Sequence, residues 1–446
     1  MNLWFKSLSD VVCLGIVKMK LIHNNSTFGK KERIVARWLM NYPQIKIFVK
    51  NVYQFILWII YKKKYTCKSN YSIQVIKKEN NESFWGYYDK VPLSPAGKYI
   101  LFYSCKHSTN KKPNIKNTIT IILQEVVTHK ILLNIPVSVY NWQQGCRLQW
   151  LTDDLFIFND FDDEKKMYVA CVWSVAQLSE IRKFNNPIQD SYRQKYYLSL
   201  NYQRLMSVCP DYGYRNLPML NLGELRDITN DGIWKVDYNT GESTLLVSLV
   251  DICSIRRALN MECALHTVNH VMISPSGNRF IFIHRYYIGK RRFDRLFLVD
   301  SATGNLKLLF DYEMVSHFFW VNDKTIVAYL RDSDGENAYN LIDVDTGIFS
   351  KIICEQLDPL GDGHPHVFGD WLITDSYPDK ARMQCLVLLN LKTREVKKLG
   401  EFFHGLKYTG ETRCDLHPRF SIDGKSVFFD SVFSGKRQLY RMSLSQ

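Results

Sequence analysis

Five of the chain's eleven histidines head short polar segments that run directly into apolar stretches: His266 and His270 in HTVNHVMISPSGNRFIF, His317 in VSHFFW, His364 in GDGHPHVFGDWLIT and His417 in RCDLHPRFSIDGKSVFF. Imidazole titrates near neutral pH and is a common metal ligand, so such a set suits a bound ion or an acid–base pair. Strand geometry sorts them, since alternate residues face opposite sides and each advances about 3.3 Å. His266 and His270 would share a face about 13 Å apart, too far to hold one ion. His364 and His366 share a face, as do Arg413, Asp415, His417 and Arg419, with Cys414 on the other side unless the backbone kinks. The expected metal centre takes His364 and His417, with Cys414 or His366, and His270 or His317, as candidates for the third ligand. Imidazoles with a thiolate suit Zn; a site with only imidazole and oxygen ligands admits Mn.

Further polar side chains stand in similar segments, among them GYYDK (Gly86 to Lys90) and NWQQGCRLQW (Asn141 to Trp150). Tyr87, Tyr88, Tyr212 and Tyr214 are candidate acids or platforms for a sugar ring. Arg147, Arg204, Arg215, Arg285, Arg413 and Arg419 include candidate carboxylate clamps, because a guanidinium grips a carboxylate through two parallel bonds. Gln144 and Asn269 add polar side chains to the same set.

Bringing these residues together requires a repeat. From about residue 80 the chain repeats a strand opened by a turn of the S-P-x-G kind, clearest at Ser94, Ser274 and Ser421, followed by two strands around a D-x-x-T-G turn, as in WKVDYNTGESTLLVS and LFLVDSATGNLKLLF. Gly in such a turn tolerates the positive φ that the hairpin needs. Starts at Asn322, Gly369 and Asp423 lie 47 and 54 residues apart, a period in the range of propeller blades, and seven copies can be counted. The fold expected is all-β: a seven-bladed β-propeller over residues 71–446, with a short helical extension over 1–70. The last copy is one strand short, and YSIQVIK (Tyr71 to Lys77) can supply it and close the ring. An insertion from Tyr196 to Asp231 in the third copy reads as a long loop forming a wall or lid of the site. No βαβ spacing supports a nucleotide-sugar-binding Rossmann fold.

Most of the net positive charge lies in the extension. Residues 1–70 hold 13 Lys or Arg against two acids, +11 of the chain's +14, which leaves +3 on the other 376 residues and argues against nucleic acid as a partner. Eleven scattered cysteines fit a reducing compartment, and the apolar run Val11 to Val17 lacks the flanks of a secretory signal. Pro43 divides the aromatic, basic stretch after Lys30 into two expected helices. The second, Ile45 to Tyr61, is short for a span and carries Lys46 and Lys50, so an anionic membrane surface is the expected partner, with Lys62, Lys63 and Lys64 at the headgroups. The expected location is cytoplasmic, peripheral at the inner face of a bacterial membrane.

At the histidine-headed strands HTVNHVMISPSG, VSHFFW, GDGH and RCDLHPRFSIDG the chain resembles the seven-bladed propeller polysaccharide lyases, the group that includes oligogalacturonate and ulvan lyases. The likeness runs from about residue 80 to the end. It implies that a histidine or tyrosine takes the C5 proton of a uronic acid while the 4-linked sugar leaves, with arginine or a divalent metal offsetting the substrate carboxylate. By blade order the resemblance places metal ligands at His364 and His417, with Cys414 where another ligand type can stand, and the base at His317, with His270 as its rival. Tyr214 and Arg215 complete the catalytic candidates; Tyr88, Gln144, Arg147, His266, Asn269, Arg413 and Arg419 are the candidates for binding an acidic oligosaccharide. The second blade departs from ulvan lyases, offering Gln143, Gln144 and Asn159 where those enzymes use histidines. The expected function is cleavage of uronate-containing glycans by β-elimination, with a noncatalytic glycan-binding or scaffold propeller in capsule or surface-polysaccharide assembly as the alternative.

Overall fold

The computed structural model describes residues 43–257 and 261–444. Seven antiparallel sheets follow one another along the chain, at 82–137, 149–184, 190–248, 265–310, 315–351, 366–403 and 419–443, and the protein is a seven-bladed β-propeller. They are numbered here as blades 1 to 7. Central strands such as Arg279–Ile288 are packed from both sides by neighbouring blades, so Phe280, Ile281, Phe282 and Ile283 are all buried and the run is apolar rather than alternating.

The two turn signatures do the same job in each copy. Main-chain N–H groups of Gly97, Gly277 and Gly424 donate to the carbonyls of Ser94, Ser274 and Ser421 at 2.7–2.9 Å. Asp237, Asp300 and Asp343 each accept from the N–H of the Thr three residues on at 2.8 Å, closing the D-x-x-T-G turns. Gly277 has a φ of +78°, and a Cβ there would fall 2.4 Å from the Tyr192 ring of blade 3, so this turn both reverses the chain and seats one blade on the next.

Ring closure uses chain from before the first blade. Ile73–Ile76 pairs with Gln438–Ser443, matching Ile73 to Met442 and Val75 to Tyr440. Cys67–Lys68 adds a fifth strand to blade 6 against Val396–Phe403. A helix over Pro43–Tyr61 precedes them, with Leu57 buried and the Trp58 ring 6.4 Å from Phe403 of blade 6. The helix expected before Pro43 lies outside the described residues. The blade 3 insertion, read from sequence as a loop, contains two short helices, Tyr202–Val208 and Leu222–Arg226, each capped by an Asn side chain. Arg204 anchors it internally, bonding Asp231 and the carbonyls of Leu225 and Asp227.

Ring closure can be tested by truncation. Removing residues 1–64 spares both added strands and costs only the Leu57 and Trp58 contact with blade 6, so it should lower the melting temperature less than a deeper truncation. Removing 1–77 should lower the melting temperature further in a thermal denaturation scan, because it also strips the closing strand from blade 7 and the fifth strand from blade 6.

Candidate functional site

The inner ends of blades 4 to 7 and the GYYDK segment of blade 1 converge on the axis. The His364 ring centroid lies 4.2 Å from His317 on one side and 4.2 Å from His417 on the other. His270 is 5.8 Å from His317, and Tyr87 lies 5.0 Å from His417 and 5.2 Å from His270, against which it stacks. All four histidines and Tyr87 and Tyr88 are buried.

Strand alternation alone does not produce this cluster. In blade 4, His270 and Val271 oppose a single partner residue, and His270 has a φ of +54°. That bulge changes the facing of everything after it, so His266 and His270 do not share surroundings as parity predicted. His270 turns to the axis, whereas His266 stacks on His284 at 5.3 Å. A second bulge, with Ser316 and His317 opposite one residue, presents His317. His417 stands at φ +44° just before Pro418. Left-handed backbone at non-glycine residues costs of order 1–3 kcal/mol each and is typically retained at functional positions.

Carboxylates, one buried and one half-buried, orient the rings. Asp375 accepts from the main-chain N–H of His364 at 2.7 Å and of His417 at 3.2 Å, and lies 2.9 Å from His364 Nδ1. Asp362 lies 3.2 Å from His317 Nδ1 and accepts from the Ser316 hydroxyl at 2.5 Å. The Tyr87 hydroxyl is 2.6 Å from His270 Nδ1. Burial, then Arg285, holds His270 well below the usual imidazole range, and burial with the nearby His364 lowers His317. Burial opposes charge on His364, yet its pairing with Asp375 raises that imidazole overall. Burial also opposes charge on Asp415, but Arg413 and His364 hold its carboxyl at about 2.

His364, Asp415 and His417 bring one ligand atom each within 4.8 Å of one another. With Nδ1 of His364 taken by Asp375, its Nε2 remains for an ion, and His417 Nε2 is buried without a partner. Two imidazoles and a carboxylate fit a divalent ion such as Mn or Zn, and Asp375 supplies the carboxylate that orients a ligating histidine. Cys414 does not join the group: it follows the opposite side of the chain, packs with Tyr408 and Val432, and its N–H donates to His404. Asp415 takes the place expected for it. His366 also stays out, its ring 4.4 Å from Phe319 and turned from the axial cluster.

The remaining candidates divide. Arg413 binds Asp415 at 2.7 Å, lies over the Tyr377 ring and is one-third exposed. Tyr212, from the insertion, has its ring 5.0 Å from His270, so the insertion supplies part of the wall. Tyr88 donates to the Phe318 carbonyl at 3.0 Å. Asn269 accepts from the His270 N–H at 2.8 Å, and Gln144 is buried with its amide unpartnered. Arg147 is spent on a two-bond pair with Asp89, and Arg419 on the carbonyls of Gly86 and Tyr87. Tyr214 stacks on Tyr202 at 4.4 Å and accepts from Asn159, away from the axial rings. Arg215 pairs with Glu411. Asp362 and Asp375 were not among the site residues expected from sequence, whereas Tyr87 was among the candidate acids. A signal for Asp375 existed: the hairpin that pairs His366 with Ile373 places residue 364 opposite 375 when its register is extended.

No family model and no curated protein matches the chain. Among solved structures it is similar to an oligogalacturonate lyase in complex with manganese, at 14% identity and a TM-score of 0.58 over 86% of this chain and 96% of that one. It is also similar to the oligogalacturonate lyase of Vibrio parahaemolyticus, at 13% identity and a TM-score of 0.55 over 86% of this chain and 99% of that one. At such identities the likeness shows the propeller fold.

Two measurements follow from this geometry. Asp375→Asn should weaken metal affinity by about 10–100-fold in a competition titration while the secondary structure persists. His404 is fully buried, and burial together with Arg382 lowers its pKa to about 3. Below about pH 6.5 the unfolded chain takes up a proton that the folded one refuses, so this group lowers stability progressively as the pH falls from about 6.5 toward about 3. Urea midpoints between pH 7 and 5 should decline less steeply in His404→Gln.

Proposed function

We propose that this protein is a lyase-like propeller that breaks a uronate-containing glycan by metal-assisted β-elimination. The observation that carries the reading is the convergence of the His364–Asp415–His417 group with two oriented acid–base pairs, His317–Asp362 and Tyr87–His270. Similarity in fold to a manganese-bound oligogalacturonate lyase supports it.

A divalent ion held by His364, Asp415 and His417 would supply a Lewis acid that lowers the cost of the extra charge on the substrate carboxylate. Arg413, partly exposed beside that group, offers a guanidinium to the same carboxylate. Asp362 holds Nδ1 of His317, which leaves Nε2 as the base for the C5 proton. The lowered pKa of His317 keeps that nitrogen unprotonated at neutral pH. As the C4–O bond breaks and the C4–C5 double bond forms, the leaving oxygen takes the Tyr87 hydroxyl proton; after product leaves, His317 gives the C5 proton to solvent and Tyr87 regains one from it, while neutral His270 holds the Tyr87 hydroxyl in place. Burial raises Tyr87 well above the ordinary phenol range, so it keeps its proton until the leaving oxygen demands one. Tyr212 and Tyr377 flank this site as surfaces for a sugar ring.

The same proposal places the protein at an anionic membrane surface. On the helix Pro43–Tyr61, Ile45, Phe48, Val52, Phe55 and Ile59 recur at three- and four-residue spacing and are 41–69% exposed, while Leu57 and Trp58 face blade 6. Lys62, Lys63 and Lys64 follow at its end. Among the described residues no helix is long and apolar enough to cross a membrane.

Incubation with a panel of uronate oligosaccharides should produce the ultraviolet absorbance of an unsaturated uronate, and His317→Ala should cut the rate by about 10²–10⁴-fold. Glycan retention without any such product would instead identify a binding propeller. Flotation with anionic vesicles should recover the protein, less so at high salt or in Phe48→Asp/Phe55→Asp.

A further inference from the structure

We infer that Cys253, His266 and His284 form a second metal site, separate from the axis and suited to zinc. Cys253 lies on the short helix Leu249–Ser254 that leads from blade 3 to blade 4, His266 on the innermost strand of blade 4 and His284 on the strand beside it. The register pairs His284 with Val268 and His266 with Tyr286, so the two imidazoles are diagonal neighbours on one face of the sheet. All three side chains are buried, and one ligand atom from each lies within 4.8 Å of the others.

The hydrogen-bond geometry leaves lone pairs facing one another. His266 Nε2 is 3.0 Å from the Met261 carbonyl, an acceptor only, so the ring proton belongs there and Nδ1 carries a lone pair. That Nδ1 is approached by Cys253 Sγ at 3.4 Å and by His284 Nε2 at 3.1 Å. If both neighbours carry protons, two donors crowd one acceptor. If either lacks its proton, that atom turns a lone pair on another. A dication gives each of the three an acceptor of its own, and the Met261 carbonyl becomes the outer partner that fixes the tautomer of a ligating histidine. The donor set differs in kind from the axial one: a thiolate with two imidazoles is soft enough to select zinc, where the axial carboxylate admits harder ions. A cavity of about 180 Å³ borders Cys253 and His266, leaving room for water as a fourth ligand. The ion would tie the blade 3–4 connection to the sheet of blade 4.

Elemental analysis of the full-length protein, loaded with zinc and desalted, should find two zinc ions per chain, falling to one in Cys253→Ser or His284→Ala and to one in His417→Ala. A cobalt-loaded wild-type protein should show a near-ultraviolet thiolate-to-cobalt charge-transfer band that His417→Ala and Cys414→Ser retain and Cys253→Ser loses. A wild-type cobalt protein without that band overturns the site, whether or not any variant folds. So does a zinc content that Cys253→Ser and His284→Ala both leave unchanged while circular dichroism shows them folded.

Discussion

Buried carboxylates that accept main-chain N–H groups from the next blade hold this ring together. Asp375 of blade 6 takes the N–H of His417 in blade 7; Asp430 of blade 7 takes those of Trp85 and Gly86 in blade 1, at 3.0 and 2.8 Å; Asp190 of blade 3 takes that of Ile273 in blade 4, at 2.7 Å. The heads of the innermost strands have no further strand to pair with, and a buried N–H left without a partner costs about as much as a lost hydrogen bond. A charged acceptor makes these bonds about twice as strong as neutral ones. Each carboxylate joins two blades, so the blade-to-blade angle and the position of the axial side chains are set by the same bonds.

The site inherits its geometry from that arrangement. Asp375 secures His364 and His417 together, so two candidate ligands from adjacent blades cannot shift independently. Asp430 fixes Gly86, whose φ of +100° and close approach to the Gln143 carbonyl exclude a side chain there, and thereby fixes Tyr87 against His270. Arg419 supports the same segment from its carbonyl side. An arginine that reads from sequence as a substrate clamp is thus part of the frame, while Arg413, paired with Asp415, is one-third exposed.

Much of the architecture could be read along the chain. The S-P-x-G and D-x-x-T-G turns gave the period, and the period gave the blades, because each turn is closed by its own local side chain. The closing strand was legible as an alternating segment with no partner nearby in sequence. The gathering of five histidines at the blade heads was legible too, though not which of them converge. Less legible were the carboxylates that orient them, since Asp362 and Asp375 read as ordinary turn or strand-end residues until the hairpin register is drawn.

The sequence by itself determined the repeat, the all-β class, the position of the closing strand and the concentration of imidazoles at one end of the blades, because these depend on residue type, turn chemistry and period. Tertiary structure alone decided which histidines meet. Bulges at His270 and His317 and the left-handed backbone at His417 override the two-residue alternation from which facing is inferred. They turn His270 and His317 to the axis, whereas Asp415 keeps the side of His417 that alternation gives it and His266, ahead of the bulge, faces Cys253 and His284. A single extra residue in a strand reverses every later side chain, and a bulge leaves no reliable mark in composition or spacing.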